Sequence, residues 1–178
     1  MCQSCLVEDH SRRIVVIRHA KAEQAAPTDF QRPLSDRGRA DAAALGGWLR
    51  GEGIVVDQAL VSAALRTQQT WAAIADAAGW EVAPNLDEGL YAAGPETALD
   101  IVRGTLDECR ALVLIGHNPT VGYLAQMLDD GEGDQSATTE MAMGYPTCAA
   151  TVLSYDGAWA ALGEQTARVV AFHVGRAG

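Results

Sequence analysis

A chain of 178 residues with 48% apolar and 20% charged side chains is long enough for one domain with a sizeable core, and its ordinary composition excludes a disordered chain. Its formal charge of −10 repels nucleic acid and anionic membranes unless a local patch overrides the global field. Apolar runs stay far below the roughly 18 residues that span a bilayer, and no basic-then-apolar leader opens the chain, so a cytoplasmic protein without nucleic-acid or membrane partners is expected.

Residues 1–12 read as a flexible leader and 13–178 as a single domain with no internal repeat or linker. Within the leader, Cys2 and Cys5 have the C-x-x-C form of half a zinc site or a redox pair, with His10 the only nearby extra ligand. No second C-x-x-C follows, and no helix that would lower a thiol pKa, so two incidental cysteines are the simpler reading. Cys109 and Cys148 lie in or beside apolar stretches and read as small buried hydrophobes.

The run Ile14 to Ile17 is continuously apolar between charges, as in a strand buried on both faces of a parallel sheet. A polar loop with Pro27 and Pro33 follows. Ser35 can cap a helix carrying Ala44, Leu45, Trp48 and Leu49 at helical spacing until Gly51 and Gly53. Ala59 to Val61 is a second strand. A helix from about Arg66 places Thr67, Trp71, Ile74, Ala75 and Ala78 on one face, with Gly79 placed to end it. Trp48 and Trp71 both fall on apolar stripes and read as core.

Pro95 suits the first turn of a helix burying Leu99, Val102 and Leu106. Ala111 to Ile115 is a third strand. Asn118 can cap, and Pro119 open, a helix with Val121, Leu124, Ala125 and Leu128 inside. Residues 129–146 lack a clear period and read as a loop or lid; Ala149 to Leu153 and Val169 to Val174 read as two late strands of open direction. Strands alternating with helices predict an α/β sandwich with a mainly parallel sheet.

Ligands in such sheets bind beyond the carboxyl ends of the strands, and three strands here end on reactive residues. The first ends at Arg18-His19, the second at Ser62 with Arg66 one helical turn on, the third at Gly116-His117-Asn118. Two arginines and two histidines thus converge on one edge. An arginine forks two hydrogen bonds onto phosphate-type oxygens and keeps its charge at any working pH, so the edge reads as a pocket for a small tetrahedral anion. Focused arginines matter in this chain. Through Arg66 the net charge is +1, and from Thr67 onward it is −11. Arg66 also sits at a helix start, where a positive charge is disfavoured unless an anion is bound.

The motifs "RHA", "SAALRTQQT" and "GHNP" at those strand ends, with the openings "RHAKAE" and "RPLSDRGR", resemble the histidine phosphatase superfamily in its small SixA-type phosphohistidine phosphatase form, over roughly residues 13–155. The resemblance implies a three-layer α/β/α sandwich of the phosphoglycerate mutase type. It implies His19 as nucleophile and Arg18, Arg66 and His117 as holders of the equatorial phosphoryl oxygens. Nearby arginines are expected to keep His19 unprotonated. It implies no metal or other cofactor, the arginines supplying the positive charge.

Relatives acting on phosphate esters carry a carboxyl group that protonates the leaving oxygen. Here "NLDEGLY" offers Asp87 and Glu88, the Leu-x-Glu spacing favouring Glu88, and a phosphohistidine substrate tolerates a poor acid because its P–N bond is weak. Two acids in an exposed turn are otherwise simply solvated. Ser62 can bond the phosphate or cap the next helix, the cap being favoured; Asn118 can cap its helix and orient His117. Lys21, the only lysine, reads as solvated, and Arg32, Arg37 and Arg39 form either a basic rim or a solvated helix face.

Ala20 replaces the glycine usual in the wider superfamily, so the loop there must be conventional. The short chain leaves no room for cap insertions, which suits a phosphorylated side chain presented by a protein. The expected function is a metal-independent phosphatase acting on protein phosphohistidine. A phosphomonoesterase for a small phosphorylated metabolite and a noncatalytic phosphate-binding module are the alternatives.

Overall fold

Alternate residues of an apolar strand face opposite ways, and here both faces find a core. In a computed structural model describing residues 11–178, β1 (Arg12–Arg18) sends Ile14 and Val16 into one core and Val15 and Ile17 into the other. β4 (Ala111–Gly116) divides likewise, Leu112 and Leu114 opposite Val113 and Ile115. Cys2, Cys5 and His10 lie outside the described residues. Arg12 already pairs with Tyr155, so the strand begins inside the stretch read as leader.

With β2 (Gln58–Ser62), β3 (Asn85–Asp87), β5 (Ala149–Tyr155) and β6 (Arg168–Val174), these strands form a six-stranded sheet of order β3-β2-β4-β1-β5-β6. The first four are parallel; β5 is antiparallel to β1 and β6 to β5. Helices α1 (Asp36–Gly51) and α2 (Leu65–Ala78) cover one face. Helices α3 (Pro95–Arg103), α4 (Thr120–Leu128) and α5 (Gln135–Met143) cover the other. The result is the expected three-layer α/β/α sandwich. Among the described residues no helix is long and apolar enough to cross a membrane.

Local chemistry sets the helix ends. The Ser35 hydroxyl accepts from the Gly38 amide at 3.1 Å, capping α1, and Gly79 ends α2 in the left-handed region at φ 75°. Gly38 also sets a close approach. A Cβ there would lie 2.0 Å from the Lys21 carbonyl oxygen, so only glycine lets the first turn of α1 rest on the loop after β1. That contact holds the loop leaving the reactive edge.

Several expectations are corrected. α3 stops at Arg103, and Leu106 beyond it is 71% exposed rather than core. The stretch 129–146 is not all loop: α5 occupies its second half, capped by the Asp134 carboxylate, which accepts from the Ala137 amide. Only Ala137 and Met141 of α5 are buried, too few apolar positions to produce a readable period. β3 is a short edge strand where the residue pattern suggests only an exposed turn. Trp71 is core, whereas Trp48 is only half-buried and stacks on His173 with ring centroids 4.5 Å apart. Cys109 and Cys148 are buried free thiols, and burial pushes them up to about 11 and about 12.

Candidate active site

β1, β2 and β4 run parallel side by side, so their carboxyl ends meet at one edge. His19, just past β1, is fixed through its backbone: its amide donates to the Gly116 carbonyl at 3.1 Å and its carbonyl accepts from the Cys148 amide at 3.1 Å. The next amide, that of Ala20, donates to Thr70 Oγ1. The imidazole Nδ1 lies 2.7 Å from the Ala20 carbonyl oxygen. A carbonyl only accepts, so Nδ1 carries the proton and Nε2 keeps its lone pair. Burial drives the His19 pKa down to about 4; the Ala20 bond opposes this, and Arg66, Arg18 and Arg32 add to it. Desolvation, more than the arginines, therefore keeps this imidazole neutral.

His117 follows β4, with its ring 5.2 Å from that of His19, centroid to centroid. Arg66 Nη2 approaches His117 Nδ1 at 3.3 Å, and a guanidinium can only donate, so Nδ1 is the acceptor. Nε2–H then donates to Ser62 Oγ at 2.8 Å. Burial, then the neighbouring His19 and Arg66, hold His117 down to about 3, with Asp29 opposing. Ser62 is thus a partner of His117 and not a helix cap: α2 begins after Ala64 with no side-chain cap. Asn118 likewise caps nothing, the residue before α4 being Pro119; its Nδ2 donates to the Tyr145 carbonyl at 2.8 Å.

Arg18 Nη1 donates to that same Tyr145 carbonyl at 2.9 Å. Arg66, only 6% exposed, is held more firmly. Nη1 donates to the Asp29 carbonyl at 2.7 Å, Nη2 to Asp29 Oδ2 at 3.0 Å, and the guanidinium sits 5.8 Å over the Tyr91 ring. The Nε atoms of Arg18 and Arg66 are buried without a partner among the described residues. Such donors are costly unless something else accepts from them.

Asp29 is a site residue that the sequence pattern does not reveal. Tyr91 donates to its Oδ2 at 2.6 Å and Arg32 to its Oδ1 at 2.9 Å, and these bonds, with Arg66, hold the carboxyl well below the usual range. It stays anionic and organises the cluster rather than giving up a proton. The Tyr91 ring also stands edge-on to His117, centroids 5.5 Å apart. Asp29, Tyr91 and Tyr145 sit in segments with no hydrophobic period; closeness in sequence to the motifs hints at the first two, and nothing local marks Tyr145.

The remaining expected residues divide. Asp87 Oδ1 accepts from the Leu90 amide and stabilises the 3-10 turn that carries Tyr91. Glu88 is exposed, just past β3 and next to the Ser62 end of β2; its carbonyl accepts from the Tyr91 amide at 3.1 Å, and its carboxylate has no polar partner among the described residues. Of the three rim arginines only Arg32 joins the cluster; Arg37 pairs with Asp41 and Arg39 with Asp36 and Gln69. The Lys21 side chain is exposed.

Both histidines have a native pKa below their ordinary 6.5. The unfolded chain therefore binds more protons than the native one on acidification. The stability they contribute is intact above about pH 6.5 and is lost as pH falls through their native values of about 4 and about 3. A proton NMR titration should place the His19 midpoint near 4, and urea midpoints should fall between pH 6.5 and 4 less steeply for His19→Gln than for wild type. A His19 midpoint near 6.5 would contradict this environment.

Residues 14–93 match the model of the histidine phosphatase superfamily, branch 1. An uncharacterized protein of Mycobacterium tuberculosis is 36% identical over 162 residues, covering 90% of this chain and 100% of its own. Phosphohistidine phosphatase SixA of Escherichia coli is 30% identical over 135 residues, covering 71% of this chain and 80% of its own. A solved structure from Nakamurella multipartitia, provisionally assigned to SixA, superposes with a TM-score of 0.83 at 31% identity, over 94% of this chain and 98% of that one. With that sequence match and that fold, the chain belongs to the histidine phosphatase superfamily, with SixA phosphatases among its relatives.

Proposed function

We propose that this protein is a metal-independent phosphatase that works through a phosphohistidine intermediate on His19 and takes phosphohistidine in a protein as its preferred substrate. The observation that carries the mechanism is the bond from His19 Nδ1–H to the Ala20 carbonyl. It leaves the Nε2 lone pair free to attack phosphorus as the bond to the leaving group breaks. The resulting Nε2-phosphorylated ring keeps its Nδ1 proton and is cationic. When water attacks the phosphorus, the P–Nε2 electron pair returns to a neutral imidazole, a far better leaving group than an imidazolate. The proton released by water passes to solvent.

Arg18, Arg66 and His117 would stabilise the phosphoryl oxygens, where the transition state spreads its charge. The two guanidiniums, both close enough to His19 to depress its protonation, support an anion there. A bound dianion would also favour protonated His117, whose Nδ1–H could donate to a phosphoryl oxygen only by giving up the contact with Arg66. Among the described residues no group of three or more His, Cys, Asp or Glu side chains is arranged to hold a metal ion. The SixA relatives support the substrate class. The histidines are half-buried rather than sealed, and Asn118, Pro119 and Glu88 at the neighbouring strand ends are exposed, which suits a side chain presented on a protein surface.

A phosphohistidine leaving group takes its proton at the ring nitrogen remote from phosphorus, from solvent, so it needs no acid at the scissile bond. An ester does. Glu88, exposed and unpartnered at the rim, is the group an ester would recruit, which favours a phosphomonoesterase as the second reading. In chelator, Glu88→Gln should change phosphohistidine turnover by less than about threefold, while an acid-dependent ester reaction would lose about 10²- to 10⁴-fold. Turnover of esters alone, abolished by Glu88→Gln, would replace the first reading with the second. Failure to turn over any phosphorylated compound would leave a phosphate-binding module.

A further inference from the structure

Asp41 on α1 is 4% exposed, an unusual place for a carboxylate far from the reactive edge's own hydrogen bonds. Burial opposes its ionisation, but the Ala177 amide and the guanidiniums of Arg37 and Arg176 outweigh it and hold the carboxyl below its ordinary range. Ala177 N donates to Oδ1 at 2.9 Å, Arg37 Nε to Oδ1 at 2.8 Å, and Arg176 Nη1 lies 3.6 Å from Oδ2. Two of the three partners belong to the short segment that follows β6.

That segment also grips the stretch beside His19. Gly175 N donates to the Cys148 carbonyl at 3.0 Å, and Arg176 Nη1 to the Thr147 carbonyl at 3.0 Å. A Cβ on Gly175 would lie 2.5 Å from the Asp41 carbonyl oxygen and 2.9 Å from Cys148 Sγ, so glycine alone lets the segment pass between α1 and Cys148. Cys148 in turn is held at φ 63°, in the left-handed region a non-glycine residue enters only when its surroundings enforce it. In that conformation its amide reaches both the Arg18 carbonyl at 3.2 Å and the His19 carbonyl at 3.1 Å. Three residues earlier, the Tyr145 carbonyl receives Arg18 and Asn118.

We infer that Asp41, Gly175 and Arg176 form a brace that seats the Tyr145–Cys148 segment against the Arg18-His19 backbone, making Asp41 and Arg176 positioning residues for phosphoryl transfer. The inference rests on the phosphatase reading of the site. None of the three touches substrate in this scheme; they act by fixing where the His19 ring starts. Displacements of about 1 Å at a reacting group cost up to about 100-fold in rate, so a loosened brace should be felt in turnover more than in binding.

The test uses Arg176→Ala, whose side chain is 44% exposed and whose loss the fold should tolerate, with Asp41→Leu and Asp41→Asn beside it. With p-nitrophenyl phosphate, Arg176→Ala and Asp41→Leu should lower kcat by about tenfold with KM little changed, and Asp41→Asn, which still accepts from the Ala177 amide, should recover most of the loss. Hydrogen exchange at the Cys148 amide should quicken in the same two variants while the β1 amides stay protected. Unchanged Cys148 exchange, or quickened exchange with unchanged kcat, would overturn the brace as a positioning device. If Asp41→Leu fails to fold, Arg176→Ala decides alone. Wild-type inactivity on this ester and on a phosphohistidine protein would overturn the underlying phosphatase reading and the brace with it, a failure seen before any substitution is made.

Discussion

Replacing His19 with alanine is expected to lower turnover by about 10⁴-fold or more, the scale on which covalent catalysts lose activity when the nucleophile goes. The side chain is half-buried at a strand end, and its backbone bonds to Gly116 and Cys148 do not need the ring, so the fold should persist. Phosphate affinity should survive in part, since Arg18 and Arg66 remain. Rapid acid-free quenching with labelled substrate should trap an acid-labile phosphoenzyme in wild type and none in the variant. A variant that turns over normally would remove the covalent route altogether.

Arg66→Ala carries the second largest expected effect, about 10²- to 10³-fold in kcat, as when a preorganised donor to a developing anion is deleted. Arg66 has more to lose than an ordinary donor. It links the Asp29 carbonyl and carboxylate to His117 Nδ1, so its removal leaves Asp29 to Tyr91 and Arg32 alone and lets His117 change tautomer. Arg66→Lys should rescue little, because one ammonium cannot reproduce the planar fork that reaches both partners. Steady-state kcat and KM for the two variants, with thermal melts to exclude unfolding, separate these outcomes. Equal activity of Arg66→Lys and wild type would mean that only the charge matters.

The convergence of Arg18, His19, Arg66 and His117 is legible in the sequence because each terminates or follows a strongly apolar strand, and parallel strands bring their ends together. The supporting groups are not. Asp29 opens one 3-10 turn between two prolines, Tyr91 closes another, and Tyr145 follows a helix with only two buried residues; such short connections carry no period, so nothing local says which way they fold back. Ser62 and Asn118 illustrate the limit differently. Both occupy positions where a short polar side chain suits a helix start, yet both spend their hydrogen bonds on tertiary partners, His117 and Tyr145. Local preference is worth about 1 kcal/mol, and a buried polar partner in need of a bond can outweigh it.

Sequence alone determined the sandwich, the strand ends and the four charged or imidazole side chains gathered there, because burial on two faces and strand period are local properties of the chain. The tertiary structure decided what those side chains are: which nitrogen of His19 is free, that burial more than charge keeps it neutral, and that His117 is shared between Ser62 and Arg66. It also decided that Asp29 holds Arg66, and that a glycine and a buried carboxylate more than 130 residues apart close on the segment behind His19. Protonation state and position depend on distances between groups remote in the chain, and only the folded packing sets those distances.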